Sequence, residues 1–293
     1  MEIGLTGCTG FVGAHLTHAL VQAGHQVTGL VRPDSRADHV TDDLSRTVVG
    51  DLCDAKALRT LADACDIVVH NAFESVSHQP MRHFRANVLG SLQLLELARI
   101  AGISQFIFIS STAAYHTIEK DRLLDERHPM MPSDLPGACK AAVEPFLTAY
   151  FETYGVNGCA FRLPTVYGIH HDWKRSWNYD IINSVTLGEE VDTPGSAHVV
   201  HVDDVTEAVI RALGNYSVAG QVYNLVDCHI HDEQVARMAK EITGSPSILY
   251  DRHPDRVVDH FVTTKAVDDL AVDLARGHDG VGQYVRELLD RFA

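Results

Sequence analysis

The feature that most constrains this chain is a glycine-rich turn between a predicted strand and a predicted helix near the N-terminus. Gly7, Gly10 and Gly13 recur every third residue, directly after the apolar strand at residues 2–6. We expect Gly7 to allow a sharp turn, Gly10 to let backbone amides approach a pyrophosphate, and Gly13 to let helix and strand pack closely. Free N–H groups at the helix start also attract phosphate. The spacing predicts dinucleotide binding more strongly than a purely structural turn.

Short apolar strands alternate with helical segments through the first two thirds of the chain. The predicted strands are residues 2–6, 26–31, 47–49, 67–70, 106–110 and 158–163. The predicted helices are residues 10–23, 54–64, 85–101 and 138–154. Continuous apolar strands separated by helices indicate a parallel sheet that is covered on both faces. We therefore predict an α/β fold with a doubly wound parallel sheet and a ligand at the C-terminal ends of its strands.

The alternation breaks after residue 165, and residues 170–198 carry no long periodic run. Further strands are predicted at residues 199–204 and 223–226, and further helices at residues 205–213, 232–243, 264–273 and 281–292. We expect residues 1–165 to form the nucleotide-binding core. Residues 166–293 would then form mainly a smaller substrate-binding lobe, with strands and helices that return to the core.

Composition excludes several classes of function. The net charge of −15 disfavours a nucleic-acid partner, which requires clustered lysines and arginines. The chain has no apolar stretch near the roughly 20 residues that a membrane helix needs, and the early first strand leaves no room for a signal peptide. Six scattered cysteines favour reduced thiols over a disulfide frame, and the dispersed histidines predict no metal site. We predict a cytoplasmic protein with a small-molecule substrate.

Several local patterns together resemble the extended short-chain dehydrogenase/reductases, which include NAD-dependent epimerases and dehydratases of nucleotide sugars. The patterns are residues 6–13, 50–52, 68–72, 87–91, 108–111, 140, 162–168 and 201–205. The resemblance extends over nearly the whole chain. It implies a Rossmann fold, a nicotinamide dinucleotide laid across the strand ends, and a C-terminal substrate lobe.

The end of the second strand bears on the choice between NAD and NADP. An acidic residue there accepts hydrogen bonds from the ribose 2′-hydroxyl and repels a 2′-phosphate. Val31 stands at the position where NAD enzymes of the family carry that acidic residue, and Arg32 and Arg36 follow. These arginines can bind a phosphate dianion, or both can be solvated loop residues whose charge Asp34 partly offsets. We predict NADP, with NAD as the less favoured cofactor.

The resemblance also implies further cofactor contacts. Asp51 and Leu52 would meet the adenine, and Asn71–Phe73 would line the path to the nicotinamide. Asn87 is predicted to begin a helix, as its N-cap, as support for the active-site strand, or as both. The predicted cofactor-binding residues are Gly7, Thr9, Gly10, Phe11, Val12, Arg32, Arg36, Asp51, Leu52, Asn71, Ala72, Phe73, Lys140 and Leu163.

The catalytic residues implied by the resemblance are incomplete. In the family a Ser or Thr orients the substrate oxygen and a Tyr transfers the proton. A Lys four residues after the Tyr binds the nicotinamide ribose and lowers the pKa of the Tyr. Ser111 and Lys140 match two of these residues, but Pro136 occupies the tyrosine position. The usual general acid/base is therefore absent.

Three interpretations of this change remain open. Another group takes over the proton, the candidates being Tyr115, His116, Cys139, His170 and His171. Alternatively, Ser111 or water is a sufficient acid. In the third, the protein binds the cofactor without turnover, as a sensor or scaffold. We favour an NADP(H)-binding oxidoreductase or epimerase/dehydratase-like enzyme acting on a nucleotide sugar or small carbonyl compound; a lyase or isomerase without redox chemistry is a weaker hypothesis.

Two further surfaces carry predictions about substrate and partner. Residues 73–78 should border the substrate, and residues 173–177 could supply a cation and a stacking ring, or be a surface loop with two partly buried tryptophans. The helices at residues 85–101 and 138–154 are apolar beyond one stripe. The excess fits a homodimer built on four helices, and cover by the substrate lobe is the competing explanation.

Overall fold

The structure is a computed structural model that describes residues 1–74, 79–115, 122–251 and 259–292. Its strands are β1 (Glu2–Thr6), β2 (Gln26–Val31), β3 (Arg46–Val49), β4 (Ile67–His70), β5 (Gln105–Ser111), β6 (Gly158–Leu163), β7 (Thr165–Tyr167), β8 (Val191–Asp192), β9 (Ser196–His201), β10 (Val222–Asn224), β11 (Cys228–His231) and β12 (Leu249–Tyr250). Its α-helices are α1 (Phe11–Gln22), α2 (Ala55–Ala62), α3 (Pro80–His83), α4 (Ser91–Ala101), α5 (Leu135–Tyr154), α6 (Tyr179–Thr186), α7 (Val202–Ala212), α8 (Asp232–Thr243), α9 (Thr264–Leu270) and α10 (Gly277–Leu289).

A seven-stranded sheet organises the N-terminal part of the chain, in the order β10-β6-β5-β4-β1-β2-β3. All neighbouring strands in it are parallel. Strand β4 is buried along its whole length, as expected for a central strand covered on both faces. The prediction of a doubly wound parallel sheet is therefore confirmed.

The chain forms two compact units. The first comprises Met1–Leu163, Thr206–Asn224 and Phe261–Val272, and the second comprises Pro164–Val205, Leu225–His260 and Asp273–Ala293. In the first unit, apolar side chains of α2, α4 and α5 pack on the sheet, with Leu58, Leu94, Phe106 and Leu147 in the core. This packing fixes the strand ends at which polar side chains gather.

The second unit has a three-stranded sheet in the order β11-β9-β7 and a two-stranded parallel sheet of β12 and β8. Strand β9 is parallel to β7 and antiparallel to β11. An aromatic and aliphatic core lies against these elements, and it includes Tyr167, Ile182, Val199 and Tyr284.

Three sequence-based expectations were wrong in detail. Residues 170–198 carry no long periodic run, but they contain the short helix α6 and the short strand β8, neither of which the sequence analysis predicts. The strand predicted at residues 199–204 lies at Ser196–His201, and helix α7 begins at Val202. The helix predicted from residue 85 is preceded by α3, and residues Phe84–Gly90 form a π-helix before α4.

Two general properties of the chain follow from the described residues. None of the helices in those ranges combines the length and apolarity that crossing a bilayer requires. The six cysteines, all of which lie in those ranges, form no disulfide.

Candidate nucleotide-binding and active site

The glycine turn joins β1 to α1 in a conformation that side chains would disrupt. Gly7 has a φ of +72°, and a Cβ there would lie 2.8 Å from the backbone of Ala72. A Cβ on Gly13 would lie 1.9 Å from the carbonyl oxygen of Gly7. By contrast, a Cβ on Gly10 would meet only that same oxygen, at 3.5 Å. The turn is therefore closed on the protein side and open beside Gly10.

The start of α1 suits an anionic group. Gly10 is the N-cap, no side chain caps the helix, and no acidic residue lies in its first turn. The first N–H groups of a helix lack intrahelical partners, and the helix dipole favours a negative charge near them. The residues present thus fit the pyrophosphate of a dinucleotide.

Exposed basic residues follow β2. Arg32 and Arg36 are both exposed, and no carboxylate of the described residues lies within ion-pair distance of either guanidinium. Arg32 Nε donates to Ser35 Oγ at 3.4 Å. Farther along this loop, His39 Nε2 donates to the carbonyl oxygen of Thr9 at 3.2 Å, which ties the loop to the glycine turn.

The predicted adenine contacts Asp51 and Leu52 follow β3 and are very different in exposure. Asp51 is exposed, and its Oδ1 accepts a hydrogen bond from the backbone of Cys53 at 2.8 Å. Leu52 is buried in the core of the first unit. A Cβ on Gly90 would lie 2.3 Å from the carbonyl oxygen of Leu52, so the two segments are closely packed.

The segment after β4 is bonded to the glycine turn. Asn71 Nδ2 donates to the carbonyl oxygen of Gly7 at 3.3 Å, and the Ala72 amide donates to Thr6 Oγ1 at 3.0 Å. The Phe73 ring lies 5.0 Å from Lys140 Nζ. Three of the predicted nicotinamide contacts therefore lie beside the turn and the lysine. The substrate-bordering residues predicted at 75–78 lie outside the described residues.

Asn87 is not an N-cap, contrary to one of the two predicted roles. It lies within the π-helix, where its side chain bonds both backbone groups of Glu74. Its Oδ1 accepts from the Glu74 amide at 2.7 Å, and its Nδ2 donates to the Glu74 carbonyl oxygen at 3.1 Å. The side chain thereby holds the chain that leaves β4.

Lys140 lies on α5 and is buried. Its Nζ donates to the carbonyl oxygen of Ile109 on β5 at 2.6 Å, and Nζ also lies 4.8 Å from the centre of the Phe108 ring. Burial lowers the pKa of Lys140 to about 8, and the nearby carboxylate of Glu144 opposes that shift. The ammonium is therefore less favoured in this position than in water.

Ser111 and Pro136 lie at the two segments that meet beside this lysine. Ser111 ends β5, and its Oγ accepts from the Ala113 amide at 3.1 Å. Pro136 lies in the first turn of α5, where proline requires no N–H partner. A Cβ on Gly137 would lie 2.1 Å from the Ala113 carbonyl oxygen, so the start of α5 is pressed against the turn after Ser111.

Tyr115, a candidate replacement acid, is bound within a buried cluster. Its hydroxyl accepts from Arg162 and lies 3.1 Å from Asn224 Oδ1, to which it can donate. Burial raises the pKa of Tyr115 to about 12. Arg162 in turn is held by Glu144, with its Nη2 2.6 Å from Oε2. This geometry favours the packing role for Tyr115.

The buried Arg162–Glu144 pair was not recognised as a unit from the sequence. The Glu144 carboxylate also accepts from the Ser110 hydroxyl, and Arg162 Nη1 donates to the Glu126 carbonyl oxygen at 3.3 Å. The only available signal was the presence of Arg162 in an otherwise apolar strand. The pair links β5, β6 and α5 beneath the lysine.

The remaining predicted residues are dispersed. Leu163 is buried at the end of β6, in register with Ser111 of β5. Cys139 is buried, and burial raises the pKa of its thiol. The rings of His170 and His171, in the second unit, lie with centroids 4.0 Å apart and their planes tilted by 34°. His116 lies outside the described residues.

The two tryptophans pack within the second unit. The Trp173 ring meets Phe292 with centroids 5.1 Å apart, and the Trp177 ring meets Tyr167 at 6.0 Å. Lys174 Nζ lies 5.5 Å from the Trp173 ring. Both rings border the core of the second unit, which favours the packing interpretation for them.

Comparisons with known proteins agree with the geometry. The model of the NAD dependent epimerase/dehydratase family matches residues 3–225. The chain is 29% identical over 298 residues to dTDP-glucose 4,6-dehydratase of Mycobacterium tuberculosis, covering 95% of this chain and 86% of that protein. It is 24% identical over 270 residues to UDP-glucose 4-epimerase of Corynebacterium glutamicum, covering 84% of this chain and 82% of that protein.

Solved structures share the fold. The UDP-glucose 4-epimerase of Thermotoga maritima, determined with UDP-glucose, matches with a TM-score of 0.84 at 23% identity, and each chain is covered completely. The predicted resemblance is thus confirmed over most of the chain, from the glycine turn to the strand β10. The chain belongs to the NAD dependent epimerase/dehydratase family.

Proposed function

We propose that this protein is an NADP(H)-dependent oxidoreductase or epimerase/dehydratase-like enzyme whose substrate is a nucleotide sugar or a small carbonyl compound. The observation that carries the proposal is the uncapped start of α1 above a turn that is open only beside Gly10. Membership of the family supports a nicotinamide dinucleotide. Relatives named as a dTDP-glucose dehydratase and a UDP-glucose epimerase support a sugar nucleotide as the substrate class.

The first turn of α1 would hold the pyrophosphate, and Arg32 with Arg36 would bind the 2′-phosphate. Both guanidiniums are exposed, and Val31, the last residue of β2, is apolar. Planar guanidiniums bind phosphate through paired, charge-assisted hydrogen bonds. With an apolar residue at the strand end, no carboxylate there opposes the additional charge of NADP.

Lys140 and Asn71–Phe73 would contact the nicotinamide end. The nicotinamide, when bound, supplies or accepts a hydride. Ser111 is the hydroxyl that we assign to the substrate oxygen. Its oxygen accepts from the Ala113 amide, and the hydroxyl still has one proton that it can donate to a substrate oxygen. With Pro136 in place of a phenol, Ser111 and water are the proton donors that we propose.

A second candidate function is non-catalytic dinucleotide sensing. Pro136 supports it directly, since a proline ring has neither a proton to transfer nor a hydroxyl to orient a substrate. The two functions share the cofactor site and differ in whether a substrate is converted. A reductase consumes NADPH, whereas an epimerase or dehydratase regenerates its cofactor within each turnover.

The test of cofactor choice is equilibrium titration with NADPH and NADH by calorimetry. We expect NADPH to bind more tightly than NADH. Arg32→Ala and Arg36→Ala should each lower the affinity for NADPH by about tenfold and change the affinity for NADH little, since each removes charge-assisted bonds to the 2′-phosphate. Arg59→Ala, at an exposed arginine of α2, is the charge-matched control. Equal or tighter binding of NADH by the unaltered protein would refute the NADP assignment.

The test of catalysis is conversion of a panel of sugar nucleotides and small carbonyl compounds. Loss of NADPH absorbance reports a reductase, and product analysis reports an epimerase or dehydratase, which leaves the cofactor unchanged overall. If the protein is an enzyme, we expect Ser111→Ala to lower its turnover rate strongly. The control Ser217→Ala, at an exposed serine, should leave the rate unchanged. Tight NADPH binding with no turnover on any compound would favour the sensor. Turnover that Ser111→Ala leaves intact would refute the role of Ser111.

We further propose that residues 166–293 mainly bind the substrate, that the protein is cytoplasmic, and that it forms a homodimer. Large apolar side chains are exposed on the π-helix, α4 and α5; they are Leu89, Ile100, Phe146 and Tyr154. A dimer would cover them. Light scattering of Phe146→Glu should then report a monomer, and an unchanged mass would exclude this surface as the interface.

A further inference from the structure

His70 ends β4 and lies fully buried at the centre of a chain of side-chain hydrogen bonds. Its Nδ1 is 2.7 Å from Thr6 Oγ1, and its Nε2 is 2.7 Å from Ser91 Oγ. At one end of this series of hydrogen bonds, the Ala72 amide donates to Thr6 Oγ1 at 3.0 Å. At the other end Ser91 Oγ donates to the Asn87 carbonyl oxygen at 2.6 Å. The ring thus connects β1 to the first residue of α4, and through Ser91 to Asn87 in the π-helix.

The end groups determine the direction of the bonds on the Ser91 side and constrain the bond on the Thr6 side. The Asn87 carbonyl can only accept, so the single hydroxyl proton of Ser91 points to it, and Ser91 must accept from His70 Nε2–H. The Ala72 amide can only donate, so the hydroxyl proton of Thr6 is free to point to His70 Nδ1. The network therefore places a proton on Nε2 and allows Nδ1 to accept from Thr6, which is the arrangement of a neutral imidazole.

The two ends of the chain enclose a short segment, Asn71–Glu74. Ala72 is in this segment, and Asn71 also bonds the Gly7 carbonyl oxygen. At the far end of the segment, Asn87 bonds both backbone groups of Glu74. One buried ring therefore lies between the two anchors of the segment that we assign to the nicotinamide.

We propose that His70, as the neutral Nε2–H imidazole, is a positioning residue for the nicotinamide end of the dinucleotide. The proposal rests on the proposed function, because it takes Asn71–Phe73 as the nicotinamide contacts. Histidine suits this role because its two nitrogens accept on one side and donate on the other within one rigid ring. Burial lowers the pKa of His70 to about 3, and the positive charge of Lys140 acts in the same direction, so the ring remains neutral near pH 7.

The test compares Thr6→Val with Thr6→Ser. Valine matches threonine in shape but removes the hydroxyl that links Ala72 to His70, whereas serine keeps it. Each variant is titrated with NADPH and with 2′-phospho-ADP-ribose, which lacks the nicotinamide. We expect Thr6→Val to lower the affinity for NADPH about three- to tenfold, which corresponds to the loss of one or two hydrogen bonds. Binding of the fragment should change less than about twofold, and Thr6→Ser should restore NADPH binding.

Other outcomes overturn the proposal in distinguishable ways. If Thr6→Val lowers the affinity for both ligands equally, the network has a purely structural role. If it lowers neither affinity, the network does not contribute to cofactor binding. If the unaltered protein prefers NADH, the NADP assignment fails, and the comparison is repeated with NADH and ADP-ribose. Nitrogen NMR of labelled histidine in the unaltered protein is independent of variant folding, and a proton found on Nδ1 would refute the assignment.

Discussion

Replacing Lys140 by methionine should stabilise the fold at pH 7 while it weakens cofactor binding. Burial lowers the pKa of Lys140 from 10.5 to about 8. This pKa difference between the unfolded and folded states lowers the free energy of unfolding by about 3 kcal/mol at any pH at which Lys140 is protonated in both states. Methionine fills a similar volume without a charge. Loss of the hydrogen bond to Ile109 offsets about 1 kcal/mol, so we expect a net gain of about 2 kcal/mol.

The pH dependence of this gain follows from proton linkage. Between pH 8 and 10.5 the unfolded chain holds the Lys140 proton more strongly than the folded chain, so raising the pH through this window stabilises the unaltered protein. Below pH 8 the penalty is constant, and above 10.5 it disappears. The advantage of Lys140→Met should therefore be full at pH 7 and should shrink toward pH 10.5.

Urea unfolding of the unaltered protein and Lys140→Met at several pH values measures the difference directly. Other groups that titrate in this window cancel in the difference. Lys56→Met, at an exposed lysine of α2, controls for the loss of a surface amine and should show no such trend. A variant that is less stable at pH 7, or an advantage that does not change up to pH 10.5, would refute the view that Lys140 is a destabilising charge retained for binding.

Two further predictions concern packing and charge. Gly13→Ala would bring a Cβ within 1.9 Å of a carbonyl oxygen in the turn, so it should cost about 1–3 kcal/mol and abolish NADPH binding. Gly24→Ala, at a φ of +82° with open space around it, should cost about 1–2 kcal/mol and leave binding intact in calorimetry. Glu144→Gln leaves Arg162 buried without its counter-charge and should cost about 3–5 kcal/mol in urea unfolding, whereas Glu96→Gln, in a half-exposed pair at the surface, should change stability much less.

The parts of the fold that were predictable are those with a strong local pattern, either a continuous apolar run in a strand or an amphipathic period in a helix. The bounds of β1, β2, β4, β6 and α8 agree with the sequence-based ranges. These strands are buried nearly throughout, so their composition is apolar on both faces and the pattern is strong. By contrast, β8 has only two residues, which is too short for any periodicity to register.

The site was predictable where it is local in the chain. The glycine turn and the helix it precedes lie within a few residues of each other, so their spacing carries the signal. The bonds that hold His70 connect it to Thr6, 64 residues away, and to Ser91, 21 residues away. The register of β1 with β4 pairs Thr6 with His70, but that register is a property of the assembled sheet. The sequence predicts a helix start at Asn87 for the same reason, since its partner Glu74 lies on another segment.

The predicted replacement of the family tyrosine by Pro136 limits what the rest of the proposed site can do. Pro136 lies one helical turn before Lys140, on the same side of α5. In the family that the sequence resembles, the matching lysine both binds the nicotinamide ribose and lowers the pKa of a neighbouring tyrosine. Proline has no pKa to lower, so only the binding role is left to the ammonium. The contribution of Lys140 should then lie in the affinity for the cofactor, and any pH dependence of turnover should reflect Lys140 itself, near pH 8, instead of a phenol.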